Sequence, residues 1–305
     1  MRPVHVALAV LVAAVWGLNF VVIEVGLEDF PPLLLSSLRY FLASLPLLLI
    51  GGRAGVPWKW VLAVGGAIGV VKFSLLFVGM DVGMPAGLAS LVLQIQAFFT
   101  VGFAIVLLGE RPHAMVGAGL ALATAGLALV ASGLDGVATP AGFALVIGAA
   151  AAWGIGNVAI KRAAPPDPLR FMTWICVVPP LPLLALSLAF EGPARVGDAL
   201  AGIDLGGIAA VAYIAFAATT LGWGLWAYLL RAYSAGTVAP FSLLVPVFGL
   251  GFAALLLGEP LTVRTVVAAV LVVSGVLLTQ RAPQISTQIA GIGAPRPLRG
   301  EAGSG

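Results

Sequence analysis

MPAGLASLVLQIQAFFTVGFAIVLLGERP, the stretch at residues 84–112, decides how the rest of the chain is organised because it occurs twice. Its second copy, YSAGTVAPFSLLVPVFGLGFAALLLGEP, occupies residues 233–260. A shift of 149 positions places Gly102 on Gly251 and carries the first LLGE motif onto the second. The same apolar hairpin is written in both halves, which predicts a chain built from two repeats of one unit.

Composition places that unit in a membrane. Apolar residues make up 61% of the chain and charged residues only 9%, whereas a soluble domain carries about 25% charged residues. Apolar runs of roughly 18 to 24 residues recur along the chain, and each is long enough to cross about 30 Å of hydrocarbon. The sequence predicts an all-α, polytopic membrane protein embedded in the lipid bilayer. The net charge of +3 indicates no nucleic-acid partner, because the basic residues lie in loops.

Hydropathy predicts ten transmembrane helices joined by short connections rich in Gly and Pro. The first apolar run has no convincing cleavage site after it, so it is interpreted as an uncleaved span rather than a signal peptide. The chain divides into a first five-helix repeat at 1–135, a second at 136–281 and a disordered cytoplasmic tail at 282–305. The predicted spans are 5–25, 33–50, 60–80, 85–108, 115–132, 141–161, 169–189, 206–230, 236–257 and 262–280.

The distribution of Lys and Arg predicts the orientation of these spans. The even-numbered loops and both termini hold eleven Lys and Arg residues, and the odd-numbered loops hold only Arg195 and Arg264. Positive charge marks the cytoplasmic side, so both termini are expected in the cytoplasm. Five spans per repeat is an odd number, so the second repeat is expected upside down relative to the first. Inverted repeats predict alternating access about one central cavity.

Five short motifs are distributed over both halves of the chain. They are WGLNF at 16–20, PPLLLSSLRY at 31–40, GMPAGLASLVLQIQAFFT at 83–100, LLGER at 107–111 and VAPFSLLVPVFGL at 238–250. Together they resemble the EamA branch of the drug/metabolite transporter superfamily, in particular bacterial exporters of cysteine and O-acetylserine and of aromatic and other neutral amino acids. The resemblance implies a ten-helix carrier in the bacterial inner (plasma) membrane that moves small amino-acid-like metabolites outward, with a cavity lined by spans one, three, four, six, eight and nine.

Lys72 departs from that resemblance, since a neutral polar residue is expected there. It lies about twelve residues into the third span, or roughly 18 Å deep at 1.5 Å per residue. An ionisable group at such a depth costs about 2.5–3.5 kcal/mol on insertion scales, so it is expected to face a wet cavity or a partner. The functional interpretation is a contact for a substrate carboxylate. The alternative is a packed stem whose amine bonds to carbonyl groups or reaches the interface.

Asn and Trp side chains recur together in the first span of each repeat. Trp16 and Asn19 share one helix face, and so do Trp153 and Asn157. An indole beside an amide suits a small amphipathic solute, and ordinary helix packing is the alternative. The remaining aromatic candidates for the substrate site are Phe20, Phe73, Phe98, Tyr213 and Trp223.

Gln94 and Gln96 lie in the middle of the repeated stretch. At 100° per residue they point about 200° apart, so only one is expected to face the cavity. Gln94 is favoured because it shares a face with Phe98. Gln96 is expected to hydrogen-bond to a neighbouring helix instead.

Four further residues are candidates for a gate or for structural roles. Arg39 lies about seven residues into the second span from the outside. It is expected either to anchor that end, by snorkelling or by pairing with Glu24 or Glu28, or to act as a gate. Pro240 and Pro246 have no counterparts in the first copy and predict bends in the ninth span, with static packing as the alternative.

Catalytic and metal-binding motifs are absent from the sequence, which favours a transporter over an enzyme. HExxH, CxxC and GxSxG do not occur, and the lone cysteine, Cys176, has no intramolecular disulfide partner. No cofactor is expected. An intramembrane enzyme and a sugar-phosphate or nucleotide-sugar exchanger remain as alternatives, although the exchanger would need several Lys or Arg in its cavity.

The fifth and tenth spans are candidates for scaffold or for a homodimer contact. With no buried acid or histidine relay, facilitated transport or weak proton coupling is expected.

Overall fold

The computed structural model describes residues 1–46, 52, 55–109, 114–132, 138–233 and 235–281. Regular structure in these ranges is entirely helical, without a strand. Eight of the helices are long and apolar enough to cross a membrane, which confirms an all-α, multi-pass membrane protein. The count of ten spans and the inversion of the repeats stay predictions. The predicted tail at 282–305 and the end of the second span at 47–50 lie outside the described residues.

Eleven helices in the described ranges carry the fold, and they are numbered here in chain order. Two of the ten predicted spans are not among the eight helices long enough to cross. The helix of the second span, Pro32–Ser44, is described over 13 residues, and the helix of the tenth span has a shorter apolar stretch, Val263–Thr279. The bounds are α1 Pro3–Asp29, α2 Pro32–Ser44, α3 Trp58–Asp81, α4 Ala86–Leu108, α5 Ala114–Ala131, α6 Pro140–Ala163, α7 Pro168–Phe190, α8 Pro193–Ala201, α9 Leu205–Ala232, α10 Ala239–Leu256 and α11 Val263–Arg281.

Helix α8 lies in a stretch that hydropathy assigns to a loop. Gly192, at φ 88°, ends the preceding helix, and Pro193 stands at the first turn of the next. Glycine tolerates that left-handed φ and proline fixes the φ of a first helical turn, so this pair stops one helix and starts another. The helix is short and too polar to span a membrane, which is why a hydropathy window passes over it.

Glycine contacts hold the two halves together in two corresponding places. In α1, a Cβ on Gly17 would lie 2.5 Å from Phe248 Cβ of α10. In α6, a Cβ on Gly154 would lie 2.7 Å from Phe99 Cβ of α4. No side chain fits at either position, because the facing atoms include backbone as well as the Cβ. The missing side chains let each pair of helices approach closely.

Helices α5 and α11 pack together through a second pair of such glycines. A Cβ on Gly126 would lie 2.9 Å from the Ala268 carbonyl oxygen, and a Cβ on Gly275 would lie 2.5 Å from the Gly119 carbonyl oxygen. Valines on the other side of α11, Val266 and others, are exposed and apolar. This face suits lipid, and the homodimer contact stays a prediction.

Helices α3, α4, α9 and α10 each contain a segment that departs from regular α geometry. Helix α3 widens into a π-helical segment at Gly65–Lys72, and α9 does so at Tyr213–Leu221. Helix α4 tightens into a 3₁₀ turn at Leu93–Ile95, and α10 does so at Ala239–Leu243, which contains Pro240. These segments redirect the side chains that follow them, and π segments are frequent at functional sites.

Candidate functional site

A cavity of about 280 Å³ lies between helices α1, α2, α3, α4, α6, α9 and α10. Six of these are the spans expected from the family resemblance, and α2 joins them through Arg39. The cavity brings together nine of the predicted substrate-binding residues, and their roles stay predictions. These residues are Trp16, Asn19, Phe20, Lys72, Phe73, Gln94, Trp153, Asn157 and Trp223.

Two predicted substrate-binding residues are not among the residues that line this cavity. Phe98 packs against the apolar core instead. Tyr213 donates its hydroxyl hydrogen to the Val15 carbonyl oxygen at 2.9 Å, which fastens α9 to α1. Two residues predicted for gate or structural roles, Glu24 and Pro246, are also not among the lining residues. Glu24 buries Oε2 without a hydrogen-bond partner in the described part of the chain, and Pro246 is buried within α10.

Both Gln94 and Gln96 line the cavity, although only one was expected to do so. The 3₁₀ turn at Leu93–Ile95 lies between them. At roughly three residues per turn, two steps place the side chains about 120° apart. In a regular α-helix the separation of about 200° is equivalent to about 160° measured the shorter way round. Gln96 also accepts a hydrogen bond from Asn157 of α6 at 2.9 Å, so its expected contact with a neighbouring helix is present as well.

Lys72 ends the π segment of α3 and points its ammonium group into the cavity. The residue is only 5% exposed. Its Nζ lies 3.4 Å from the centroid of the Phe73 ring and 4.2 Å from that of Trp153. These distances are typical of cation–π contacts. Within the described ranges Nζ has neither a carboxylate partner nor a hydrogen-bond acceptor, so its charge is compensated by ring faces alone.

Arg39 lies beside Lys72 rather than at the membrane interface. It is 3% exposed, and its Cζ lies 3.9 Å from the Phe73 centroid and 4.7 Å from that of Tyr40. Nη2 donates to Thr219 Oγ1 at 2.8 Å, while Nε and Nη1 have no partner among the described residues. The expected snorkelling, or pairing with an outer glutamate, is wrong for this structure. The aromatic rings and the α9 hydroxyl hold the guanidinium inward.

Three indole rings form one wall of the cavity. Trp16 Nε1 donates to the Ala218 carbonyl oxygen at 2.9 Å, which fixes its ring. The Trp16 centroid lies 5.4 Å from that of Trp223 and 5.3 Å from that of Trp226. Trp226 was not among the predicted site residues. Its position three residues after Trp223 puts it on the same helix face, which is the signal that could have identified it.

The two amides that recur in the repeats have different surroundings. Asn157 donates to Gln96 Oε1 at 2.9 Å and to Thr100 Oγ1 at 3.0 Å. Asn19 lines the cavity too, but its Oδ1 is buried without a hydrogen-bond donor in the described structure. An unpaired buried acceptor costs about 1–3 kcal/mol. Asn19 is the amide left free to contact a bound molecule.

A second cavity of about 220 Å³ adjoins the first, and the two share Phe73 and Trp223. It reaches the first turns of α7 at Leu169 and Met172, and its lining is mainly apolar. Helix α7 is bent beside it by Pro179 and Pro180. Among the described residues, no group of three or more His, Cys, Asp or Glu could hold a metal ion.

A multi-pass helical protein with a cavity lined by polar and aromatic side chains between its helices has the architecture of a transporter. The sequence model of the EamA-like transporter family matches residues 4–132 and 140–281, and the chain belongs to this family. The resemblance seen in the sequence motifs is thereby confirmed, and the family indicates a transporter rather than an enzyme.

Curated relatives cover most of the chain. It is 43% identical to a protein of Escherichia coli (strain K12) named "Probable amino-acid metabolite efflux pump", over 89% of this chain and 93% of the relative. A Salmonella typhimurium protein of the same name is 44% identical over the same shares. A Streptantibioticus cattleyicolor protein, "Probable terminal-alkyne amino-acid exporter", is 29% identical over 89% of this chain and 92% of the relative. A solved crystal structure at 18% identity shares the fold, with a TM-score of 0.63 over 91% of this chain and 96% of that one.

Proposed function

We propose that this protein exports amino acids and related small metabolites across the bacterial inner membrane by alternating access about the central cavity. The observation that carries the proposal is the Lys72 ammonium, which has no ionic or hydrogen-bond partner among the described residues and faces a cavity walled by indole rings and amides. A cation, amides and rings in one small pocket suit an amino acid's carboxylate, ammonium and side chain. The printed names of the Escherichia coli and Salmonella typhimurium relatives support the same class of cargo.

Corresponding contacts in the two halves support the inverted repeat on which alternating access depends. Gly17 meets α10 at Phe248 and Gly249, and Gly154 meets α4 at the counterparts of these residues one repeat earlier. The two segments matched by the family also coincide with the two predicted repeats. When both halves make the same helix contact, the inward-facing and outward-facing arrangements have equivalent packing. The protein can then exchange one arrangement for the other at low free-energy cost.

Contacts at one end of the molecule favour an inward-facing state in the predicted orientation, with both termini in the cytoplasm. At the outer end, Glu259 accepts a hydrogen bond from the Gly87 backbone N–H at 3.1 Å. Glu191 accepts from the backbone N–H groups of Leu33 and Leu34 at 2.6 and 3.2 Å. These contacts close the outer end, while the second cavity leads towards the cytoplasmic end of α7.

Counterflow in proteoliposomes tests this proposal. Vesicles loaded with an unlabelled neutral amino acid are expected to accumulate the radiolabelled form, and Lys72→Met is expected to lower that rate at least tenfold because the carboxylate loses its cation. Lys59→Met is the matched control, since Lys59 is exposed and its ammonium lies over Trp60. Both variants must elute as the wild type does in size-exclusion chromatography.

The proposal fails if Lys72→Met transports at the wild-type rate. It also fails if glucose 6-phosphate, and no amino acid, exchanges across the vesicle membrane. The second outcome would favour the sugar-phosphate exchanger, for which Arg39 supplies a second cavity cation beside Lys72.

A further inference from the structure

We infer that Arg39 and Lys72 together bind two acidic groups of the cargo, so that the carrier prefers amino-acid metabolites with a second carboxylate over their neutral counterparts. This inference rests on the proposed function and narrows its substrate class. Lys72 contacts the α-carboxylate, and Arg39 contacts the acidic side chain. Arg39 is then a specificity-determining residue rather than an anchor or a gate.

The two cations share one aromatic ring. Arg39 Cζ lies 3.9 Å, and Lys72 Nζ lies 3.4 Å, from the centroid of the Phe73 ring. The two charged groups are consequently no more than about 7 Å apart, and both line the central cavity. Each residue is more than nine-tenths buried. Two positive charges at this separation repel each other far more strongly in a protein interior than in water.

Nothing else among the described lining residues neutralises this pair, because the lining contains no Asp or Glu. Arg39 Nη2 is held by Thr219, but Nε and Nη1 have no hydrogen-bond partner in the described part of the chain. A buried charge is normally paired or fully hydrogen-bonded. A guanidinium with two free donors is an unfilled site for an acidic oxygen.

The remaining polar groups indicate that the acidic cargo also carries an ammonium group. Asn19 Oδ1 is a buried acceptor for which the described residues supply no donor, and it shares the cavity with the indole rings of Trp16 and Trp223. A carbonyl oxygen and indole faces are the groups that receive an ammonium. Two carboxylates and one ammonium describe an acidic amino acid or its close derivative.

The test compares glutamate with glutamine, which differ by one charge at almost constant shape. In proteoliposomes of the full-length wild type, glutamate is expected to compete at least tenfold better than glutamine for counterflow of a labelled amino acid. Arg39→Gln is expected to reduce that preference to about threefold or less, chiefly because glutamate competes less well. Arg39→Lys restores part of the preference because it keeps the charge. Arg195→Gln, in the exposed part of α8, serves as the control and should behave as wild type.

The outcomes separate this inference from the proposed function. If the wild type carries glutamine as well as glutamate, or if Arg39→Gln keeps the wild-type preference, the acidic-cargo inference is overturned and amino-acid export stands. If no amino acid competes, both fail. Should Arg39→Gln not fold, Thr219→Val removes the hydrogen bond that positions the guanidinium, and it should lower the glutamate preference without abolishing glutamine transport.

Discussion

The contact between α1 and α10 and the contact between α6 and α4 have the same frame but different chemistry. Gly17 and Gly154 each press against the backbone of the facing helix. Beside them, Trp16 bonds to a backbone carbonyl of α9, whereas Trp153 lies under the ammonium of Lys72. The comparison shows that close helix packing constrains the glycine in both halves, while the adjacent cavity side chain is free to differ. The lining of the cavity is therefore asymmetric, although the two glycine contacts correspond.

Adding a methyl group at either glycine is the strongest way to break the shared frame. Gly17→Ala and Gly154→Ala are each expected to destabilise the protein by about 1–3 kcal/mol, because the new Cβ meets backbone atoms that cannot move aside. Thermal unfolding in detergent measures this effect. Gly102→Ala and Gly251→Ala are the controls, since a Cβ at those positions has nothing within 4 Å. Equal unfolding temperatures for all four variants would contradict the role given to the close contacts.

Replacing the two amides sharpens the chemical difference between the halves. Asn157→Ala removes two hydrogen bonds, and at roughly 1 kcal/mol each the expected destabilisation is about 1–2 kcal/mol. Asn19→Ala removes a buried acceptor that has no donor among the described residues, so stability is expected to stay unchanged or to rise by up to about 1–3 kcal/mol. Transport should respond in the opposite order, with the larger rise in KM for Asn19→Ala. If Asn157→Ala gave both the larger destabilisation and the larger rise in KM, the different roles given to the two amides would be refuted.

Glu259, in the loop between α10 and α11, gives the smallest expected effect and tests its contact with the Gly87 backbone at the end of the molecule that is proposed to face outward. Burial raises the pKa of its carboxyl group, although hydrogen bonds from the Gly87 and Ala86 backbone N–H groups oppose the shift. A carboxyl with a raised pKa in the folded state stabilises the fold at low pH, and that contribution is lost as the pH rises through the folded-state pKa.

The Tm of the wild type is accordingly expected to fall as the pH rises through the raised pKa of Glu259. The fall should be about 2 °C or less because the Glu259 carboxyl is partly exposed. Glu259→Gln removes the titration but can still accept from Gly87, so its Tm should be flatter with pH. A variant that follows the wild-type curve at every pH would show that Glu259 does not contribute.

Some features of the site followed from sequence and others did not. Lys72 could be identified because burying a charge deep in an apolar run is costly in any fold. The indole–amide pairs could be identified because residues three or four apart share a helix face. Arg39 was a candidate for a gate or anchor, but its place in the cavity could not be predicted. Its inward direction depends on the ring of Phe73 and the hydroxyl of Thr219, which come from other helices.

Hydropathy and charge determined that this chain crosses a membrane many times, because the transfer free energy of a segment is a sum over its own residues. The repeated hairpin likewise fixed which glycines recur. Only the tertiary structure decided which polar groups meet in the cavity. The π segment that ends at Lys72 and the 3₁₀ turn at Leu93–Ile95 change the directions of the Lys72, Gln94 and Gln96 side chains. Both irregular turns depend on packing between helices, which a local sequence pattern does not reveal.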